Sequence, residues 1–422
     1  MKKAISLAIA AILALGCAIP AFAAGTVSMA DADAAAALPS VAADGQAVSL
    51  SLEQAVRIMQ TQGNRAQTAE INRKADKALA EGYAETVRTI DEVLGGIDRI
   101  SQLESMGLPS SVIESYTGYS SSIAAASAAG REGATGANEK IMKLRRDFAK
   151  GQIESNYRAE MNQIEYDTVQ LYYNVLLAQD NARIAADNVA AKKEILAATE
   201  AMKKMGMAAN KDVLAVKADV AAAESELSAA ETTLATAKMG LNFLLDYPVL
   251  QDVKLTDILS ELPMPEITVE QAVENALTSR NEIKGARFAA QVYEILFKNI
   301  AARYPSGSAT YMNQQVACLN AQKTATDAPK KIEIDVRSRY SDLKDKREAM
   351  QKARASLEYA NEAYRLTKLS YEIGMSTLTD VMSIQVTQHK AALGAAAAVR
   401  DYDLAVCSFG YACDIGVSRL PL

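Results

Sequence analysis

The sequence contains little of what a sheet-based or catalytic core requires. It has no tryptophan, aromatic residues make up 5% of the chain, and prolines number only 9. His389 is the single histidine, and no Cys/His cluster has metal-ligand spacing, so the sequence offers neither a zinc site nor a base for a serine nucleophile. No glycine-rich phosphate loop follows a predicted strand. These absences predict a protein that is not an enzyme and that needs no cofactor or metal.

Charge and cysteine content exclude further classes. The net charge is −6 with both signs spread along the chain, so the sequence predicts no nucleic-acid partner. Beyond the N-terminal region the cysteines are Cys318, Cys407 and Cys413, and an odd number is not a disulfide framework. We interpret them as small buried apolar residues, and a bridge involving Cys318 stays open.

The N-terminus predicts export. Two lysines precede a short apolar run, and Ala21-Phe22-Ala23 provides a small-x-small cleavage site, so residues 1–23 are predicted to be a signal peptide. Leu15-Gly16-Cys17 loosely resembles a lipoprotein box, which leaves lipidation at Cys17 as a second route. Residues 24–50 are rich in small and polar residues without periodicity and are predicted to be a flexible leader.

What the sequence has in abundance is helical periodicity. Ser51 and Gln54 form a capping box that predicts a helix from Leu52 to about Leu94, where Gly95-Gly96 would end it. Residues 95–137 are rich in glycine and serine and are predicted to be an irregular insert. A long helix is predicted for residues 138–204, followed by a turn and a returning helix that stops before Pro248.

The returning helix carries an unbroken row of apolar residues, which we call its seam. Spacing of three and four residues gives a period of 3.5, which is typical of a left-handed coiled coil. The seam residues are Val213, Val216, Val220, Ala223, Leu227, Ala230, Leu234, Ala237, Leu241 and Leu244.

The chain contains an internal repeat. The segment SLEQAV at 51–56 recurs as TVEQAV at 268–273, an offset of 270 − 53 = 217. The hairpin turns recur at 380 − 212 = 168 without a gap. The chain is therefore predicted to be all-α, with two tandem repeats of long antiparallel helical hairpins with coiled-coil packing. The first repeat is placed at 51–248, a linker at 249–267, the second repeat at 268–416 and a C-terminal tail at 417–422.

In this order the motifs resemble the TolC family of outer-membrane efflux proteins. The resemblance rests on LEQAV at 52–56, YYNVLLAQ at 172–179 and the two hairpin turns, and it covers roughly residues 52–416. It implies three protomers that assemble a helical tunnel in the outer membrane or the periplasm-facing envelope. It further implies docking to a periplasmic adaptor (membrane fusion) protein that is linked to an inner-membrane transporter.

The resemblance also implies roles for residues at the two hairpin tips. Gly206, Met207, Gly374 and Met375 match the positions that meet the adaptor in the family. Plain turn chemistry stays open as the alternative, because glycine at a helix end permits a left-handed turn.

A tunnel gate is implied by three further positions, Asp212, Tyr371 and Asp380. The two aspartates follow the turns, so capping of the returning helices is the alternative role for them. The family's arginine after the second turn is Ser376 here, which implies a weaker closing network.

The sequence departs from the family before each hairpin, where the family inserts two membrane strands. A membrane strand needs about ten residues of apolar-polar alternation, and neither 95–138 nor 304–330 shows it. The β-barrel strands are therefore predicted to be reduced or absent. The alternative function is a non-transporting helical scaffold of the cell envelope.

Overall fold

The computed structural model describes residues 48–117 and 137–422, which are almost wholly helical. The first repeat consists of β1 (Val48–Leu50), α1 (Leu52–Thr61), α2 (Asn64–Ser105), α3 (Ser110–Thr117), α4 (Ala137–Lys204) and α5 (Asn210–Leu244). The second consists of β2 (Val253–Leu255), α6 (Val269–Ser279), α7 (Asn281–Ala301), α8 (Ala309–Glu372) and α9 (Leu378–Ala412). The predicted fold class is confirmed.

Element boundaries reproduce both offsets of the internal repeat. Helices α6 and α7 begin 217 residues after α1 and α2, since 269 − 52 and 281 − 64 give the same number. Helices α5 and α9 each have 35 residues and begin 378 − 210 = 168 residues apart. Both capping boxes, at Ser51 and at Thr268, are formed.

Long hairpins dominate the molecule. Helix α4 has 68 residues, and a rise of about 1.5 Å per residue makes it roughly 100 Å long. It packs against α5, while α8 packs against α9, and α9 also contacts α4. By these contacts α4 and α9 are the inner pair and α5 and α8 are the outer helices, while near the tips α8 also reaches α4.

The seams lie where the heptad pattern placed them. Val213, Val216 and Leu241 of α5 are buried, and the seam positions from Leu227 to Ala237 in the middle of that helix are half-buried. In the second hairpin, Leu343 and Met350 of α8 are fully buried, and burial of such a side chain contributes about 1.5–3 kcal/mol. Stability thus accumulates along the length of the hairpins rather than in one compact core.

In each repeat a second layer of helix packs beside the part of the long helix that lies away from the hairpin turn. Helix α2 runs antiparallel to α4, with Arg73 joined to Glu154 at 2.7 Å and Arg65 to Asp167 at 2.7 Å. Helix α7 packs in the same way against α8 and also reaches α4, where the rings of Phe148 and Phe288 stack at 4.1 Å.

The predicted helix break at Gly95-Gly96 is wrong. The chain breaks instead at Gln62-Gly63, and α2 continues through both later glycines to Ser105. An exposed glycine costs a helix only about 1 kcal/mol. Burial of Ile90 and Ile100 on either side of the glycines keeps the helix intact.

The end of the predicted flexible leader is ordered. Val48–Leu50 forms β1, which pairs in parallel with β2 in the segment predicted to be the linker, and Leu50 is 1% exposed. The hydroxyl of Tyr172 donates within this junction, with Leu50 O at 3.0 Å and Asp257 Oδ2 at 2.8 Å. Residues 1–47, which include the predicted signal peptide and Cys17, lie outside the described residues.

Residues 95–138 and 304–330, which show no apolar-polar alternation in the sequence, are largely helical where the structure describes them. Residues 95–105 belong to α2, 110–117 form α3, and 118–136 lie outside the described residues. In the second repeat, 304–330 is a short turn followed by α8, which passes through Pro329. Among the helices of residues 48–117 and 137–422, none combines the length and apolar character that crossing a membrane requires.

The three cysteines are free thiols. Cys318 is buried, as predicted, whereas Cys407 and Cys413 are half-buried. Burial raises the pKa of each of the latter two thiols to about 11, so both stay protonated at neutral pH.

Candidate functional site

Both hairpins end in the same glycine turn. Met207 N–H donates to Met202 O at 2.9 Å, and Gly206 N–H to Lys203 O at 3.0 Å. The second tip repeats this pattern, with Met375 N–H on Ser370 O at 2.8 Å. This is a Schellman motif, whose C′ residue must adopt positive φ. Gly206 and Gly374 have φ of 75° and 77°, so the predicted turn role of these glycines is confirmed.

The third residue of each returning helix is an aspartate whose side chain bonds back to the N-cap residue. Asp380 Oδ2 accepts from Thr377 N at 2.9 Å and from Thr377 Oγ1 at 2.7 Å, while Thr377 Oγ1 accepts from Asp380 N. These bonds hold the pKa of Asp380 below its usual range. In the first tip Asp212 Oδ2 accepts from Ala209 N at 3.0 Å, and alanine supplies no side-chain acceptor in return. Both aspartates therefore take part in capping, but from the third helical position and not as the N-cap residue itself.

The tips expose large apolar side chains. Met205, Met207 and Leu214 of the first tip are more than half exposed, as are Ile373 and Met375 of the second. Scattered exposed apolar residues are ordinary, but a patch concentrated at the end of a long hairpin is typical of a protein-binding surface. Methionine suits such a surface because its flexible thioether adapts to a partner.

Tyr371 joins the two hairpins just above the tips. It is 7% exposed, and its hydroxyl lies 3.0 Å from Thr199 Oγ1 of α4. Because the Thr199 hydroxyl itself donates to Ile195 O, the tyrosine is the donor in this pair. Tyr371 packs in one apolar cluster with Val216 and Val381, so all four hairpin helices meet at this level.

The three residues predicted to form a gate are not brought together within one protomer. Asp212 and Asp380 bond within their own turns, and Tyr371 bonds to α4. Sequence reasoning missed Thr199, the partner of Tyr371. The only sequence signal for Thr199 was that a polar residue falls on the buried side of α4, three positions after Leu196.

Further along the hairpins the interface between them is polar. The side chain of Gln385 donates to Asn188 Oδ1 at 3.2 Å, and both residues are buried. His389, 8% exposed, has its Nε2 3.0 Å from Glu226 Oε1 of α5. Lys368 of α8 pairs with Glu194 of α4 at 2.5 Å.

Helix α8 carries a row of polar residues at seven-residue spacing, and most of them bind other side chains of the same chain. The row consists of Arg347, Arg354, Asn361 and Lys368. Arg354 pairs with Glu261 at 2.5 Å and Asn361 accepts from Gln388 at 2.9 Å. These polar side chains therefore make their contacts within the protomer, beside the buried face of α8. A groove of about 410 Å³ lies beside these residues, between α4, α8 and α9.

No cluster of three or more His, Cys, Asp or Glu side chains placed to hold a metal ion occurs in residues 48–117 and 137–422. The candidate site consists of the exposed surface of the tips and the polar interface between the two hairpins.

Several solved outer-membrane channels share this architecture. The outer-membrane channel OprN is similar with a TM-score of 0.57 and 14% identity, over 87% of this chain and 90% of that chain. The open state of the Neisseria gonorrhoeae MtrE outer membrane channel gives 0.55 at 14% identity, again over 87% and 90%. VceC from Vibrio cholerae gives 0.54 at 13% identity, over 66% and 77%. No protein-family model and no curated protein sequence matches the chain.

The chain has a TolC-like fold. The resemblance inferred from LEQAV, YYNVLLAQ and the duplicated turns is thereby confirmed for the fold. In this TolC-like chain the two glycine turns lie side by side, at the end farthest from α2 and α7.

Proposed function

We propose that the chain is one protomer of a TolC-like exit duct, a mechanically passive helical tube for efflux or secretion through the cell envelope. The observation that carries the proposal is the duplicated hairpin. Two helix pairs of matched length end at one level in identical glycine turns, as a tube with a defined mouth requires. The similarity to outer-membrane channels supports the same proposal.

Closure into a tube follows from the two edge helices. Phe243 and Leu214 on α5 are 77% and 59% exposed, and Tyr359 and Leu369 on α8 are 73% and 50% exposed. When one edge of a protomer packs on the other edge of the next, the contact is heterologous, and such contacts form a ring when the rotation between successive copies closes. We propose a homotrimer in which α5 of one copy covers α8 of its neighbour.

The tips are proposed to bind a periplasmic adaptor that connects the duct to an inner-membrane transporter. Gly206 and Gly374 leave the backbone of the turns accessible, and Met207 and Met375 supply exposed apolar area. The partner surface complementary to them would be the end of a helical hairpin with small apolar residues.

For the gate we propose that Tyr371 acts through Thr199. This hydrogen bond, with the Gln385–Asn188 and Lys368–Glu194 contacts, fixes the second hairpin against the first. Polar contacts of this kind are directional, so they favour one relative position of the hairpins, and a rotation of one hairpin has to break them. Asp212 and Asp380 keep the turns rigid while the hairpins move.

The alternative is a non-transporting envelope scaffold that uses the same hairpins as spacers. The exposed apolar side chains at the tips and edges favour the duct, because a spacer needs neither a docking end nor a closed ring.

A photo-crosslinking residue at Met375 or Met207, introduced into the chain in its native cell, tests this proposal. The duct predicts that both tip positions crosslink to one and the same envelope protein, and that Gly374→Val in the same chain removes the crosslink. Ile258, exposed and far from the tips, is the matched control position and should not crosslink to that protein. Crosslinks absent from both tips would leave the scaffold as the better description.

A further inference from the structure

The last residues of the chain form a strap between the two repeats. The strap, Gly416–Leu420, crosses from α4 to α7, and its backbone is held by three buried or half-buried asparagines. Asn162 Nδ2 donates to Gly416 O at 3.0 Å, and Asn281 Nδ2 to Ser418 O at 3.3 Å. Leu420 is bound through both its N–H and its C=O by Asn156.

Asn156 is placed for this contact. It is 1% exposed, and its Oδ1 accepts from Leu420 N at 3.0 Å while its Nδ2 donates to Leu420 O at 2.9 Å. The same Nδ2 donates to Asp76 Oδ2 of α2 at 3.1 Å. The strap therefore supplies the hydrogen bond of the buried Asn156 Oδ1, and a buried acceptor that loses its partner is unfavourable.

Arg419 fixes the strap to the first repeat. Its Nη2 lies 2.6 Å from Asp76 Oδ1 and its Nε lies 2.8 Å from Glu160 Oε1. The side chain of Asp76 is only 6% exposed. A nearly buried carboxylate needs such a partner, because an unpaired buried charge is strongly unfavourable.

Two close approaches fix the strap to the second repeat. A Cβ on Gly285 of α7 would lie 2.9 Å from Leu420 Cδ1, so the leucine side chain sits in the notch that this glycine leaves. Gly416 has φ of 82° and lies directly against the Arg280 guanidinium, which itself pairs with Asp335 of α8 at 3.0 Å.

Asn281 completes the connection. It is 0% exposed, accepts from Gln152 of α4 at 2.6 Å and begins α7 of the second repeat. The strap thus runs through a polar cleft to which α2 and α4 contribute one wall and α7 the other.

We propose that this strap is a clasp that fixes the angle between the two repeats above the hairpins, so that movement of one hairpin against the other pivots at this cleft. The cleft is an intramolecular binding site for a short peptide that carries an arginine followed by a leucine. This role of the strap does not depend on transport, and it applies equally if the protein is an envelope scaffold.

Hydrogen exchange of the full chain and of a chain truncated after Ile415 tests the clasp. Removing the strap is expected to raise amide exchange rates in α7 and in the α2 segment around Asp76 by roughly 10-fold or more, since about 1.4 kcal/mol corresponds to that factor. Rates in the apolar cluster at the tips should stay unchanged.

Two matched variants separate the clasp from general damage to the fold. Gly285→Val fills the notch for Leu420 and should reproduce the exchange pattern of the truncation. Gly394→Val, placed where a Cβ meets nothing within 4 Å, should not.

Peptide rescue provides a readout that instability alone would not give. A synthetic peptide of residues 416–422, added to the truncated protein, is expected to bind and to restore slow exchange in α7, whereas the same peptide with Arg419→Ala binds at least 10-fold more weakly. Unchanged exchange after truncation, or equal binding of the two peptides, would overturn the proposal. Failure of tip crosslinking would leave it untouched.

Discussion

At the scale of single residues, buried polar side chains decide how the two repeats meet. Asn156, Asn281 and Gln385 are each at most 1% exposed, and each is hydrogen-bonded across the boundary between repeats. A buried polar group without its partner costs more than the hydrogen bond contributes when it is formed. These side chains therefore specify one relative position of the repeats, where apolar packing alone would tolerate several.

Tyr371→Phe should weaken the junction above the tips by about 1 kcal/mol, because it removes one hydrogen bond and leaves Thr199 with its bond to Ile195. Thr199→Val should have a similar effect. A double-mutant cycle, measured by thermal or urea unfolding, tests whether the two effects are coupled. The double variant should lose less free energy of unfolding than the sum of the two single variants, by at least ~0.5 kcal/mol. Strictly additive effects would show that the two hydroxyls do not interact.

Asp403 should make stability depend on pH. Burial raises the pKa of its carboxyl to about 6, although it accepts from Leu262 N at 2.9 Å. A carboxyl whose pKa is higher in the folded than in the unfolded chain stabilises the fold below its unfolded pKa. That stabilisation is lost as pH rises through about 6. The difference of about two pKa units corresponds to roughly 3 kcal/mol lost by pH 8.

Asp403→Asn keeps an oxygen acceptor for Leu262 and carries no charge, so it should unfold at higher urea than the native chain at pH 8 and similarly at pH 4. Unfolding midpoints across this range give the measurement. Asp187→Asn, at an exposed carboxyl, is the control and should follow the native pH profile. A native-like pH profile for Asp403→Asn would refute this role of the buried carboxyl.

At the scale of helices and turns, glycine has opposite roles at two kinds of position. Gly374 needs positive φ, so Gly374→Ala should destabilise the second tip by about 1–2 kcal/mol. Gly95 lies inside α2 with nothing near its absent Cβ, so Gly95→Ala should stabilise the chain by roughly 0.5–1 kcal/mol. The melting temperature should fall for Gly374→Ala and rise for Gly95→Ala. A change in the same direction for both variants would contradict the conformations assigned to the two glycines.

The hairpins could be predicted from sequence because their information is local and repeated. Heptad spacing placed Val213, Val216 and Leu241 on a buried face, and the offset between the duplicated turns predicted the register of the second hairpin. Capping boxes located the starts of α1 and α6 to the residue.

What could not be predicted depends on contacts between distant segments. The glycine pair in α2 signals a break when read locally, yet packing of Ile90 and Ile100 outweighs that propensity. Strand β1 is three residues long and exists only because β2 pairs with it. Tyr371 was predicted as a gate residue from the family resemblance, but its partner Thr199 lies 172 positions away and has no motif.

At the scale of the whole molecule, the arrangement leaves two edges that a single chain does not cover. Phe243→Lys on α5 should weaken association between copies by at least tenfold, since it places a charge where an apolar contact is proposed, and it should leave the melting of the isolated chain unchanged. Sedimentation velocity measures the change. Leu250→Lys, an equally exposed residue outside the edge helices, is the control and should assemble normally.

Electron cryo-microscopy of the purified assembly would measure the central property directly, namely how copies of this chain surround an axis. The proposed duct predicts three copies in a closed ring around a central channel, with the turns at Gly206 and Gly374 together at one end. Single chains, or pairs whose hairpins pack face to face without a channel, would contradict it.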